Sequence, residues 1–169
     1  MAEEAVQLDT LLAGVAGTLI ADGWRLAGAL GQPGEDADRM TLRLLPEMRV
    51  LCISQKLGRL ADGCRLDTAA LAEAVGLSGA ALDAARAAGK GAPGPLLIVN
   101  RFGKTEAEGR GFRPLIGHAL SEGVPVLIAV KPAQMAAFAA FTEGMSQALP
   151  ADIAPVLVWC RAQAATGQG

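Results

Sequence analysis

Cysteine is scarce in this chain, histidine scarcer, and no apolar run is long enough to cross a bilayer. The three cysteines, Cys52, Cys64 and Cys160, lie far apart, which excludes a disulfide scaffold, and no Cys-x-x-Cys spacing provides for structural zinc. A reducing cytoplasm fits that usage. The single histidine, His118, would have to serve any Ser-His-Asp triad, and its place beside an apolar helical stripe favours a packing or surface role. No stretch approaches the ~18 apolar residues of a membrane span, and the start, "MAEEAVQLDTLL", is acidic where a secretory leader is basic. Positive charge is not in excess: 15 Lys and Arg against 17 Asp and Glu leave −2, which provides no global field for a polyanion. The expectation is a cytoplasmic protein with no nucleic-acid partner and no membrane partner.

What the chain does have is apolar substance. With 169 residues, 51% of them hydrophobic and 19% charged, it suits one domain over residues 1–169. Leu8, Leu11, Leu12, Val15, Leu19 and Ile20 recur near helical spacing from Val6 to Ala21, where Gly23 stops the helix. A strand is expected at "WRLAGAL", a turn at "GQPGEDAD", and a hairpin of "MTLRLLP" and "RVLCISQ" about Pro46 and Glu47. Asp67 is placed to cap a helix from Thr68 towards Ala88, with Gly76 and Gly79 as weak points. "LLIVN" and "VPVLIAV" are short continuous apolar runs, the pattern of central parallel strands covered on both faces.

Between those runs, Phe112, Leu115, Ile116, Ala119 and Leu120 form a helical stripe with Pro114 in its first turn. Helices are also expected at "PAQMAAFAAFTEGM" and behind Asp152. The alternation predicts a three-layer α/β domain with a mostly parallel sheet.

Ligands of open parallel sheets bind outside the carboxyl ends of the strands. Two loops therefore matter, Ser54 to Asp67 and Asn100 to Gly111. Together they carry Lys56, Arg59, Arg65, Lys104 and Arg110, followed by Arg113, with Ser54, Gln55 and Asn100 as neutral hydrogen-bonding groups. Such a cluster favours a small anion. Thr105 and Glu108 have capping-box spacing. Glu106, Glu108 and Asp67 are hard-cation ligands by type, but their spacing sets no coordination geometry, so no metal is assigned. Cys64, between Gly63 and Arg65, is the thiol whose neighbours would make it reactive, whereas Cys52 in a strand and Cys160 in an apolar helix are expected in the core.

The stretches "ISQKLGRLADGCRLD", "LLIVNRFGKTEAEGRGFRPLI" and "GVPVLIAV" resemble a bacterial family known as domain of unknown function 2478, from about Val6 to Cys160. That family carries an association with molybdenum transport. More distantly, "LLIVNRFGKTEAEGRGF" is similar to a nucleotide motif of the thermophilic nucleoside-triphosphate phosphatase family, a P-loop fold. There the strand ends in Asp-Glu; here Asn100 and Arg101 stand in those places, Gly103 is kept, and Glu106 falls where the family has its later glutamate. Neutral Asn100 organises Mg²⁺ poorly and Arg101 repels it. No G-x-x-x-x-G-K-[ST] motif occurs, and "QLDT" sits roughly where Gly-Lys-Thr would be. Either the chain begins late, or its sheet lacks that first strand and exposes an edge.

These residues and resemblances lead to three readings. The first is a non-hydrolytic binding or regulatory protein with a degenerate P-loop-like fold, holding a nucleotide, phosphate or an oxyanion such as molybdate through Lys56, Arg65, Asn100, Lys104 and Arg110. The second is a phosphatase or phosphoryl-transfer enzyme using Glu106 or Glu108 as base, with the basic residues as clamps. The third is a structural interaction protein, a homodimer through an unpaired edge or the alanine-rich helix.

Overall fold

A computed structural model describes residues 2–33, 39–55, 66–89 and 91–166. In chain order the elements are α1 (Ala2–Ala21), β1 (Leu26–Pro33), β2 (Met40–Leu45), β3 (Arg49–Cys52), α2 (Thr68–Ala87), β4 (Leu96–Phe102), α3 (Lys104–Ala107), α4 (Arg113–Ser121), β5 (Val126–Val130), a 3-10 turn at Pro132–Gln134, α5 (Met135–Thr142) and α6 (Ile153–Thr166).

The sheet order is β3-β2-β1-β4-β5. β1 pairs in parallel with β4, and β4 with β5, while β2 is antiparallel to both β1 and β3. Only β2 therefore runs against the other four, the mostly parallel sheet that the apolar runs predict. β5, expected at the centre, forms an edge: five residues long, it pairs among the described residues with β4 alone.

Period-two alternation divides the core. Ala27, Ala29, Leu97 and Val99 face α2 and α4, where they meet Leu71, Leu82, Leu115 and Ile116. Leu26, Leu30, Leu96 and Ile98 face the other way, onto Leu12, Val15 and Leu19 of α1 and Val156, Leu157 and Cys160 of α6. A sheet buried on both faces with helices on each is a three-layer α/β arrangement. The close spacing of β1 and β4 depends on Gly28, at φ 113°, because a Cβ there would come within 1.9 Å of the Ile98 carbonyl oxygen.

Local signals explain most boundaries. Asp67 accepts the N–H groups of Ala69 and Ala70, each at 3.0 Å, and so caps α2. Neither Gly76 nor Gly79 breaks that helix, whose inner face buries Leu71, Ala74, Leu82 and Ala85. Burial of this kind outweighs glycine's ~1 kcal/mol helix penalty. The first strand starts at Leu26 rather than Trp24. The Trp24 N–H is committed to Leu19 O (2.9 Å) and the Gly23 N–H to Ile20 O (3.0 Å), a Schellman end to α1 with Gly23 at φ 78°.

Other expectations need correction. Leu120 is 47% exposed and lies off the buried stripe of α4. Cys52 is exposed on β3, because that strand is an edge with little cover. Cys160 is fully buried, as its helix position implies. At the amino pole of the sheet, Arg25 donates to Ala85 O (2.6 Å) at the end of α2 and to Ala92 O (2.9 Å) and Gly94 O (3.0 Å) before β4.

Candidate functional site

The site follows from the connections. After β1 the chain turns back to β2 on one side of the sheet; after β4 it continues through α3 and α4 to β5 on the other. The carboxyl ends of β1 and β4 are therefore a switch point, where an open sheet leaves a crevice.

Asn100 and Arg101 close β4 at that point, and both side chains engage α1. The Asn100 amide donates from Nδ2 to Asp9 Oδ1 (2.8 Å) and accepts the Gly31 N–H (2.9 Å). Arg101 Nη2 donates to the same Asp9 oxygen at 2.8 Å, in an ion pair whose Asp9 side chain is only 12% exposed. Gly31 is required for this approach, since a Cβ there would reach 2.0 Å from the Asn100 amide and 2.8 Å from the Asp9 carboxylate. Arg101 has φ 92°, and the pairing of β4 with β5 shifts register between Val99 and Phe102. An arginine held there stores roughly 1–3 kcal/mol of strain, as residues at binding sites commonly do.

Beside this cluster lies a cavity of about 170 Å³ lined by Asp9, Ala13, Leu30, Gly31, Gln32 and Arg43, among others. Arg43 stands opposite Leu30 across the β1–β2 pair, which turns its side chain to the α1 face. The residue is half-buried, and its guanidinium makes no hydrogen bond or ion pair among the described residues. Gln32 Oε1 is buried without a donor among them. Asp9 Oδ1 takes both Arg101 and Asn100, whereas Oδ2 has no partner among the described residues.

The remainder of "NRFGKTEAEGRGF" turns away from α1. Phe102 is fully buried against Phe138, edge-on at 5.2 Å, and Phe141, stacked at 5.8 Å. Glu106 is 6% exposed, and its two oxygens accept the backbone N–H groups of Gly103 (3.0 Å) and Phe112 (3.2 Å). It is Glu106, not the Thr105–Glu108 pair, that makes the capping contact of α3. Gly109, at φ 86°, ends the short helix through bonds of the Gly109 N–H to Glu106 O and of the Arg110 N–H to Thr105 O.

Lys104 and Arg110 both pair with Glu108 at the surface, the lysine at 3.8 Å, their side chains 84% and 63% exposed. Arg113 donates to Glu106 O and Ala107 O (3.3 Å each) and lies 4.6 Å over the Phe141 ring. Asn100 thus belongs to the α1 cluster, while Lys104 and Arg110 share Glu108. Lys56, Arg59, Cys64 and Arg65 lie outside the described residues. Among the described residues no group of three His, Cys, Asp or Glu side chains is arranged to hold a metal.

Two thiols are perturbed in opposite directions. The Ser54 hydroxyl, 3.4 Å from Cys52 Sγ, and secondarily the Ser54 backbone hold the Cys52 pKa below its usual value. Burial pushes Cys160 up to about 11. Asp9, Gln32 and Arg43 had not been singled out from sequence. The available signal was Asp9 within "QLDT", an acidic residue flanked by the leucines of an apolar helix.

The geometry defines an α/β protein with a polar crevice at its strand ends, where Arg101 is paired with Asp9. The chain belongs to the family described as protein of unknown function (DUF2478), matched over residues 1–159. It is also similar to part of molybdenum import ATP-binding protein ModC 2 of Bradyrhizobium diazoefficiens, with 33% identity over 158 residues. That alignment takes in 91% of this chain and 17% of the relative. No solved structure gives a significant match. Among the described residues no helix is long and apolar enough to cross a membrane.

Proposed function

We propose that this protein is a non-hydrolytic small-anion or nucleotide-binding regulatory protein, acting as a single α/β unit, with its ligand site at the carboxyl ends of β1 and β4. One observation carries the reading. Asn100 and Arg101 lie in the last pleat of β4, just before Phe102, and the Arg101 guanidinium is committed to Asp9 at 2.8 Å. A cation fixed there opposes Mg²⁺, and a neutral amide beside it offers hydrogen bonds without the charge that metal-dependent hydrolysis requires. Lys56, Arg65, Lys104 and Arg110 supply further positive charge around the crevice in this reading. The molybdenum relative supports an oxyanion or nucleotide as the ligand class.

The enzymatic alternative has less support. Both oxygens of Glu106 are occupied by backbone N–H groups, and Glu108 is engaged by two exposed cations. A general base needs a free lone pair within reach of substrate.

The test is thermal unfolding followed by the fluorescence of Trp24 and Trp159. It is run against ATP, GTP, phosphate, sulfate, molybdate and tungstate, with and without Mg²⁺. A ligand of the folded state raises the midpoint in proportion to ln(1 + [L]/Kd). A Mg²⁺-independent rise with at least one of them is expected, reduced by Lys104→Ala with Arg110→Ala. A rise that appears only with Mg²⁺, together with turnover, would replace this reading with the enzymatic one.

A further inference from the structure

We infer that the cavity between α1, β1 and β2 selects protonated inorganic phosphate over fully deprotonated oxyanions such as sulfate and molybdate. The inference rests on the proposed anion-binding reading and sharpens it to one chemical class. The reasoning starts from charge. Around the cavity stand Asp9 from α1, Arg101 from β4 and Arg43 from β2; the first two neutralise each other at 2.8 Å, which leaves the single positive charge of Arg43. A monoanion balances it.

Hydrogen bonding then narrows the choice. Arg43 offers donors, but Gln32 Oε1 is a buried acceptor with no donor among the described residues. An anion lacking any O–H brings only lone pairs to this oxygen and leaves it unsatisfied, at the cost that an unpaired buried polar group carries. Sulfate and molybdate are such anions at neutral pH. Inorganic phosphate keeps at least one proton there and can donate it to Gln32 Oε1.

Size agrees. A volume of about 170 Å³ admits a tetrahedral oxyanion, since a water occupies ~30 Å³ of liquid, but falls below the ~300–1,000 Å³ of sites that enclose larger organic ligands.

The experiment is isothermal titration of the full chain with inorganic phosphate, methyl phosphate, sulfate and molybdate, slightly below neutral pH. Inorganic phosphate is expected to bind at least tenfold more tightly than sulfate and molybdate. Methyl phosphate, mostly a dianion without an O–H at that pH, should bind more weakly than inorganic phosphate, and tighter binding of methyl phosphate would count against the inference. Arg43→Met should weaken phosphate at least tenfold, with Arg43→Lys recovering part of the loss in a fold verified by circular dichroism. Gln32→Met should bring phosphate and sulfate closer to parity. Equal or tighter binding of sulfate or molybdate, or an unchanged phosphate affinity in Arg43→Met, overturns the inference while the anion-binding reading stands. No binding by any of the four, nor by ATP or GTP, would remove both, whereas binding of a nucleotide alone would remove the phosphate inference only.

Discussion

The two halves of "NRFGKTEAEGRGF" carry similar residue types and do opposite things with them. In the first, Asn100 and Arg101 turn towards α1 and share one Asp9 oxygen in a cluster that is mostly out of water. In the second, Lys104, Glu108 and Arg110 pair at the surface, while Glu106 alone goes inward to hold backbone N–H groups. Ion pairing alone does not separate the two. Burial does, because it decides whether a lost partner is replaced by water or by nothing.

The sharpest way to break the comparison is Glu106→Ala. Removing that carboxylate leaves the Gly103 and Phe112 N–H groups buried without acceptors, and at ~1–3 kcal/mol per group the loss should be about 3 kcal/mol in urea unfolding. An effect below about 1 kcal/mol would mean that the loop reorganises around its glycines. Asp9→Ala comes next. It strands the half-buried Arg101 guanidinium, at a cost of roughly 2 kcal/mol after allowance for its partial exposure, seen as a Tm drop of roughly 4–8 °C in a chain of this size. Asp9→Ala with Arg101→Met should recover part of that loss, since removing both members of such a pair is milder than removing one.

Glu108→Ala should be the smallest of the three, within ~0.5 kcal/mol, as exposed pairs are worth little. If it equalled Asp9→Ala, burial would not be the distinguishing variable. The thiols extend the contrast to another part of the fold. In a Cys64→Ser background, Cys52 should react with a thiol reagent in the native state and Cys160 only on unfolding. The Cys160 thiol keeps its proton to about 11 when folded, against 9.0 as the ordinary value. The unfolded chain therefore binds fewer protons between those values, so this group's contribution to stability falls as pH rises through the window. Cys160→Ala should flatten that part of the stability curve.

The layered fold was legible because its signals are local or periodic. Leu12, Val15 and Leu19 mark one helical face, "LLIVN" marks a strand covered on both sides, and Asp67 announces α2 by capping. Boundaries failed where tertiary contacts decide, as at Trp24, whose N–H belongs to the end of α1. Position within the sheet was hidden too: nothing in "VPVLIAV" says that it takes an edge of the described sheet, and nothing in "RVLCISQ" says that Cys52 is exposed.

The candidate site was half legible. Asn100 and the basic loop residues stand out from their types and from the strand-end rule. Asp9 and Arg101 lie 92 positions apart in the chain, and no local pattern can pair residues so distant. Gln32 and Arg43 meet through the register of β1 and β2, in which Leu30 lies opposite Arg43. The resemblance to a nucleotide motif drew attention to the carboxyl end of β4, but it could not reveal that Arg101 is held by the first helix.

Arg25 gives the two poles of the sheet different evolutionary latitude. Its guanidinium rivets the end of α2 to the approach to β4, and Gly94, at φ 99°, passes so close that a Cβ would come within 2.7 Å of the Arg25 carbonyl oxygen. Lengthening or exchanging the Gly91–Pro95 connection would loosen three elements at once. At the opposite pole the loop after β4 is fastened within itself, by Glu106 on the Gly103 and Phe112 N–H groups and by Arg113 on the Glu106 and Ala107 carbonyls, so a change there would disturb one loop while the foundation stays fixed.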